Sequence, residues 1–307
     1  MSLKNQKIAV LKGGPGSERA VSLKSAESVI EALILLGAVV CVVDVAAADF
    51  VVPGDAIVAV NMIHGTFGED GQLQKILEER GIPYTGAGLA SSKVAFDKIL
   101  SKEKFIAAGV ATPRSQILKL DGSDTLSLNL PVVVKPPREG SSVGVHIVRT
   151  EAELAAALDD AKRFGGETLI EEFIEGKELT VGVIGGVALP VIHIEPESGF
   201  YDLNNKYPWM GGTGKTNYHC PAELDERTTK RVQEMALTAM KALDVEVYGR
   251  VDIMLRNDGE PFVLEINTIP GMTTSSLLPK AALASGLEFP QLCERIIELS
   301  LNARGRA

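Results

Sequence analysis

Residues 248–273 read YGRVDIMLRNDGEPFVLEINTIPGMT, and their alternation decides the fold. Val251, Ile253 and Leu255 fall on one face of a first run, with Arg250, Asp252 and Met254 on the other. Phe262, Leu264 and Ile266 form the apolar face of a second run, opposite Val263, Glu265 and Asn267. The Asn-Asp-Gly-Glu segment between them predicts an antiparallel hairpin. With residues 257–260 as the loop, Arg256 pairs with Pro261 and Asp252 lies directly across from Glu265. Like charges opposed on a ladder repel. Either this face points at water, or a divalent cation between the acids turns repulsion into ligation. Asp, Glu and Asn are hard oxygen donors, the set that holds magnesium together with substrate phosphates. Asn267 on the same face and the Pro270-Gly271 turn beyond it favour the metal.

The chain has 307 residues, 45% hydrophobic and 23% charged, enough for two or three domains of an ordinary globular protein. A net charge of −9 with no basic run argues against nucleic acid as a partner. Cys41, Cys220 and Cys293 are odd in number and widely spaced, so neither a disulfide framework nor a zinc pattern is expected. The stretch MSLKNQKIAVLKGG runs straight into a strand without a signal-peptide core, and no apolar run approaches the ~18 residues of a membrane span. No membrane association is expected, and a reducing cytoplasm is the simplest location.

Working back from the hairpin, residues 7–12, 39–45 and 56–60 alternate with a helical segment, 19–36, that ends at Gly37. This β-α-β order predicts an open parallel sheet with ligands at the strand carboxyl ends. The 39–45 run is almost wholly apolar, as a strand covered on both faces should be. A dinucleotide fingerprint fails in the first turn, because Arg19 stands where the third glycine belongs. Glu18, at the strand mouth, either holds a substrate ammonium or simply favours the helix dipole. His64, in the Gly-rich run 61–71, orients a ligand or Glu18, or is a hydrogen-bonded loop residue.

Residues 91–109 predict one amphipathic helix. Residues 131–135 (PVVVK) predict a strand ending in Lys135, followed by a Gly-Ser loop and a strand over 143–148. No helix follows that loop, so it is not a P-loop. It is either a mobile turn or a flap whose backbone N–H groups and Ser141 and Ser142 hydroxyls fold over phosphates, with Lys135 supplying charge. Thr150 and Glu153 form a capping box for a helix over 150–163. Residues 169–174 read as an edge strand ending in Glu171 and Glu172 beside Phe173 and Ile174. That end is either solvated or reads adenine through its backbone, with Glu178 taking ribose hydroxyls. Gly214-Lys215-Thr216 mimics the tail of a Walker A motif, but Trp209 replaces the leading glycine and no apolar strand precedes it. The Gly-rich, aromatic segment 199–220 reads better as a lid. Helices follow at 225–243, about 279–285 and 289–302, the last burying Leu292, Ile296, Ile297 and Leu299.

Six segments in order, GGPGSERAVSL (13–23), HGTFGEDG (64–71), KPPREGSSVGV (135–145), FYDLNNKY (200–207), GRVDIML (249–255) and EINTIPGMT (265–273), resemble the ATP-grasp superfamily and, within it, the D-alanine–D-alanine ligases. The resemblance spans essentially the whole chain. It implies an α/β, three-domain ATP-grasp fold: an N-terminal open parallel sheet over 1–91, a central subdomain over 92–178, and a C-terminal subdomain over 179–307 with the metal site and lid. It implies ATP-dependent joining of two D-alanines through a D-alanyl phosphate for peptidoglycan precursors, with D-alanine–D-lactate or another carboxylate–amine ligation as the alternative.

By the same resemblance, Asp252, Glu265 and Asn267 are the ligands of two magnesium ions, or manganese in their place. Lys98, Lys135 and the lid residue Lys206 serve the ATP phosphates. Glu171, Glu172, Phe173, Ile174 and Glu178 serve adenine and ribose. Glu18 and His64 belong to the first D-alanine, Ser276 and Leu277 to the second, and Arg250 with the Gly271 N–H to the developing oxyanion. Glu18, Ser141 and Tyr207 are implied to lock the lid, and a tyrosine at 207 accompanies dipeptide rather than ester synthesis in this family. A homodimer is also implied. The stretch 208–214 departs from the family pattern, as does Gly16, where serine is common.

Overall fold

The computed structural model describes residues 2–197, 201, 205 and 214–305. Three sheets follow one another along the chain. The first is parallel: β1 (Lys7–Gly13) is flanked by β2 (Val39–Val45) and β3 (Val58–Asn61), with helix α1 (Arg19–Leu35) between the first two strands. Contrary to the apolar reading of 39–45, β2 is an edge strand and only half covered, with Val39 and Val42 exposed. An apolar run cannot report how many neighbours a strand has; at the sheet edge each face is covered only in part, Val40 packing on one core and Val43 and Val45 on another.

Helix α2 (Gln72–Glu79) follows. The single helix expected over 91–109 is two: α3 (Leu89–Phe96) and α4 (Lys98–Ala107). Asp97 breaks them. Its backbone is extended, and its carboxylate accepts from the Ile99 and Leu100 N–H groups as the N-cap of α4 and from Arg138 Nε at 2.7 Å. A capping aspartate offers the backbone an alternative to helix, and a cross-element ion pair fixes that choice. The break turns Lys98 and Lys102, one helical turn apart, into the interior, where both are buried.

The second sheet is antiparallel, in the order β4 (Ser115–Lys119), β7 (Glu167–Glu172), β5 (Val132–Lys135), β6 (His146–Val148). Helix α5 (Glu151–Ala161), started by the Thr150–Glu153 capping box, packs Leu154, Ala157 and Ala161 on it. Strand β7 is therefore internal, not the edge strand expected. Its backbone is committed to β4 and β5, and just beyond it the Phe173 N–H still donates to the Pro131 carbonyl at 3.2 Å.

The third sheet runs β11 (Thr216–His219), β10 (Ile192–Pro196), β8 (Gly176–Ile184), β12 (Tyr248–Arg256), β13 (Pro261–Asn267), with β9 (Val187–Ala188) paired to β8. Helix α6 (Glu226–Ala242), capped by Asp225, lays Val232, Ala236, Ala239 and Met240 against Val181, Val251, Ile253 and Val263. Asp252 does pair with Glu265, but by a different route from the one expected. The turn is shorter: Asn257, Asp258 and Gly259 form a three-residue loop with Gly259 at φ +88°, so Pro261 pairs with Leu255 rather than Arg256. A bulge at Leu264 then restores the register. It also puts Val263, not Phe262 and Leu264, on the core side with Ile266, and leaves Leu264 and Glu265 together on the opposite side.

Two helices close the chain, α7 (Leu277–Ala284) and α8 (Phe289–Ala303). The apolar stripe of α8 is Leu292, Cys293, Ile296, Ile297 and Leu301; Leu299, expected inside, is only half-buried. These side chains share one core with Ile8, Val10 and Val58 of the first sheet, Val29 and Leu33 of α1, and Tyr248 of β12. Leu292→Ala, at a fully buried position, should therefore cost about 3 kcal/mol. Urea denaturation should show one cooperative transition moved to lower denaturant, not an early loss of the first sheet alone.

Candidate active site

Asp252 and Glu265 project from neighbouring strands into a cleft between the second and third sheets. Asp252 is buried and fully engaged. Arg250, two residues along the same face, donates Nε to Oδ1 at 3.0 Å and Nη2 to Oδ2 at 2.9 Å. Thr180 donates to Oδ1 at 2.6 Å and the Asn267 amide to Oδ2 at 2.9 Å. Glu265 takes the Lys98 ammonium at 3.1 Å, and the same ammonium donates to the Glu139 carbonyl at 2.7 Å. Each acid of the opposed pair has thus drawn a cation of the chain to itself, which is how a face demanding positive charge is expected to behave. Asp252, Glu265 and Asn267 are hard donors that suit magnesium shared with phosphates. Among the described residues, no three acids, histidines or cysteines gather to hold a metal unaided. The ligand set is one that a phosphate would have to complete.

A cavity of about 600 Å³ opens on one side of this pair, lined by Glu18, His64, Glu69, Ser141, Arg250, Gly271, Ser276 and Leu277 among others. Ser141 donates to Glu18, so two of the three residues of the expected lock are joined. Lys206 and Tyr207, expected at the phosphates and in that lock, lie outside the described residues. Gly65 and Gly140 press on the Glu18 carboxylate; a Cβ at 140 would sit 2.8 Å from it. Ser141 and Ser142 both have φ near +55°, at 52° and 59°. Backbone strain of that kind persists where a site over-determines it.

His64 holds the floor. Ser25 Oγ accepts from the Met272 N–H and so donates its proton to His64 Nε2 at 3.0 Å; His64 Nδ1–H then donates to the Ile269 carbonyl at 2.8 Å. Burial lowers its pKa, and this neutral tautomer ties the 269–272 turn, with Gly271, to α1. Ser276, at the N-cap position of α7, turns its Oγ back to accept from Thr273 N at 3.2 Å.

A second cavity, about 830 Å³, lies on the other side, lined by Lys135, Ser142, Glu171–Ile174, Glu178, Asp252 and Glu265. Ser142 donates to the Tyr201 carbonyl at 3.1 Å, fastening the Gly-Ser loop to the lid segment. Glu172 is held by Arg114, whose N and Nε donate at 2.9 and 2.8 Å, and Arg149 lies over the Phe173 ring at 5.0 Å. Glu171 does not present a free carboxylate to the cavity: its two oxygens meet Lys102 and Lys135, each at 2.6 Å. The two cavities share Lys98, Glu139, Tyr201 and Glu265.

Two sheets closing on a cleft floored by opposed carboxylates and flanked by buried lysines define an ATP-grasp enzyme. A family profile described as D-ala D-ala ligase C-terminus matches residues 112–298. D-alanine–D-alanine ligases of Methylacidiphilum infernorum and Citrifermentans bemidjiense are 48% and 43% identical to this chain, covering 95% and 96% of it and the same shares of their own lengths. The ATP complex of the Bacillus anthracis D-alanine–D-alanine ligase superposes with a TM-score of 0.84 at 33% identity, over 98% of this chain and 99% of that one. A D-Ala:D-Ser ligase of Enterococcus faecalis gives 0.84 at 30%, over 97% and 100%. The chain belongs to the D-alanine–D-alanine ligase family.

Two groups escaped the sequence reading, the buried Lys102 and the part-buried Glu69. Lys102 looked like one more lysine on an amphipathic helix, and only its spacing from Lys98 hinted otherwise. Glu69 sits inside a quoted motif without having been given a role. Burial, reinforced by the Glu18 charge, pushes its pKa up to about 8 from 4.5. Its Oε1 accepts from the Gly65 N–H at 2.9 Å. The unfolded chain releases this proton above pH 4.5 while the folded one keeps it to about 8, so stability falls as pH rises through that window. Glu69→Gln keeps the acceptor and removes the titration. Its melting temperature should exceed that of the parent increasingly from pH 5 to about 8 and the gap should level off above that, each unit of pH within the window contributing up to about 1.4 kcal/mol.

Proposed function

We propose that this chain joins two D-alanines into D-alanyl-D-alanine at the expense of ATP, through a D-alanyl phosphate, to supply peptidoglycan precursors. The supporting observation is the meeting of the two cavities at Lys98 and Glu265. One is polar and suited to small zwitterions; the other is larger, with Phe173, Ile174, Met254 and Leu264 for a base. A carboxylate is a poor electrophile until phosphorylated, and the transfer requires its charges neutralised and its groups in line. Asp252, Glu265 and Asn267 would hold two magnesium ions, which supply that neutralisation.

In this reading Glu18 receives the ammonium of the first D-alanine. Arg250 and the Gly271 N–H face the oxygen that becomes negative when the second amine attacks. Ser276 and Leu277, at the start of α7, receive the second carboxylate. Lys98 and Lys135 serve the phosphates. Glu178 serves the ribose, and the segment from Glu172 to Ile174, where β7 ends, the adenine. Closure of the Gly-Ser loop over Glu18, with Lys206 and Tyr207 from the lid, excludes water from the acyl phosphate.

We assign domains to 1–91, 92–178 and 179–307, in keeping with the three successive sheets, although the last boundary falls inside β8, three residues from its start. A homodimer is in keeping with the exposed apolar side chains Ile34 and Leu35 at the end of α1 and Val39 at the start of β2. No described helix is long and apolar enough to cross a membrane. Three free cysteines suit a reducing cytoplasm.

The solved relatives differ in the acceptor, D-alanine in one name and D-serine in another. With ATP, magnesium and D-alanine, mass spectrometry should find D-alanyl-D-alanine, ADP and phosphate, and D-alanine should outcompete D-serine and D-lactate as acceptor. A mixed product predominating would reassign the acceptor. Glu265→Gln should lower turnover at least about a hundredfold while calorimetry still detects D-alanine binding through Glu18. Near-normal turnover would take the metal away from position 265.

A further inference from the structure

The nucleotide cavity is acid-rich. Nine carboxylates line it, against Lys98, Lys135, Arg149 and Lys177. A triphosphate entering it requires more positive charge than these side chains carry, and Lys98 is already paired with Glu265. Behind the wall stands Lys102, one turn beyond Lys98 on α4 and only 3% exposed. Its ammonium donates to Thr112 Oγ1 at 2.7 Å and meets Glu171 at 2.6 Å. Glu171 is 2% exposed, and its other oxygen meets Lys135. Two cations thus share one anion in a dry compartment, leaving one net positive charge.

We infer that Lys102 is a positioning residue for nucleotide binding: by neutralising Glu171 it leaves the charge of Lys135 available to the anionic phosphates. Without Lys102, Glu171 and Lys135 form a neutral pair and the cavity loses its attraction for the polyanion. The cluster behaves as a net cation. Burial holds Lys102 below its ordinary pKa despite Glu171. Burial alone would raise Glu171, yet Lys135 and Lys102 outweigh it and hold that carboxyl low.

The inference rests on ATP being the co-substrate, and calorimetry with a non-hydrolysable ATP analogue and magnesium separates the two ideas. If the parent protein fails to bind the analogue, the ATP reading goes. If the parent binds it, Lys102→Met should weaken it at least about tenfold, as removal of a charge within a few ångströms of a partly desolvated anion requires. The KM for ATP should rise alongside, with the KM for D-alanine and kcat at saturating ATP changing less than about threefold. Lys102→Arg should bind like the parent. Lys102→Met combined with Glu171→Gln restores one net charge and should regain most of the lost affinity. Where Lys102→Met is not recovered folded, Lys102→Gln removes the charge while keeping a donor for Thr112. Unchanged nucleotide affinity in the neutral variants, equal losses for both substrates, or a double variant no better than the single one would overturn the inference.

Discussion

Two carboxylates fixed on one rung of an antiparallel ladder repel each other, and much of the surrounding structure answers that repulsion. Asp252 lies against Thr180 and under the fork of Arg250, and Glu265 draws Lys98 across from α4. Because the Lys98 ammonium also reaches the Glu139 carbonyl, the Gly-Ser loop is tethered to the same charge. A disturbance at Glu265 is therefore felt at Glu139, and through it by the loop that packs on Glu18. The groups that balance the acids in the free protein are the ones the proposed chemistry calls on, so little has to be brought in when substrates arrive.

The supports of the site differ in stiffness. The acids, Lys135 and Glu178 stand on strands, and Lys98 and Lys102 on a helix whose start is fixed by Asp97 and Arg138. Ser141 and Ser142, by contrast, stand on a loop held in the left-handed region by its contacts with Glu18 and Tyr201. Rigid floor and strained flap is an arrangement that places charge accurately while allowing entry.

The pairing of Asp252 with Glu265 was legible because side chains alternate strictly along a strand and the turn lies between two clear runs. The bulge at Leu264 was not, since it depends on a three-residue turn and on the Val263 N–H reaching the Ala111 carbonyl, a contact over 150 residues away in sequence. The continuous periodicity of 91–109 hid the Asp97 break, which is decided by Arg138 from another element. The apolar composition of β2 suggested full cover, and the internal position of β7 was invisible for the same reason: sheet order is a property of partners. The family resemblance named candidate site residues at once, Glu171 among them for adenine, but it could not foresee that both oxygens of that carboxylate turn onto lysines. Burial and ion pairing at a single atom are beyond what any motif encodes.

The core that joins β1 and β3 to α8 has a consequence for how the polypeptide is made. Ile8, Val10 and Val58 emerge from the ribosome long before Leu292, Ile296 and Leu301 exist to cover them. During translation the nascent first sheet must wait, with its apolar side open, for most of the remaining chain. That interval is one in which a chaperone has something to hold, and in which truncated products are prone to aggregate.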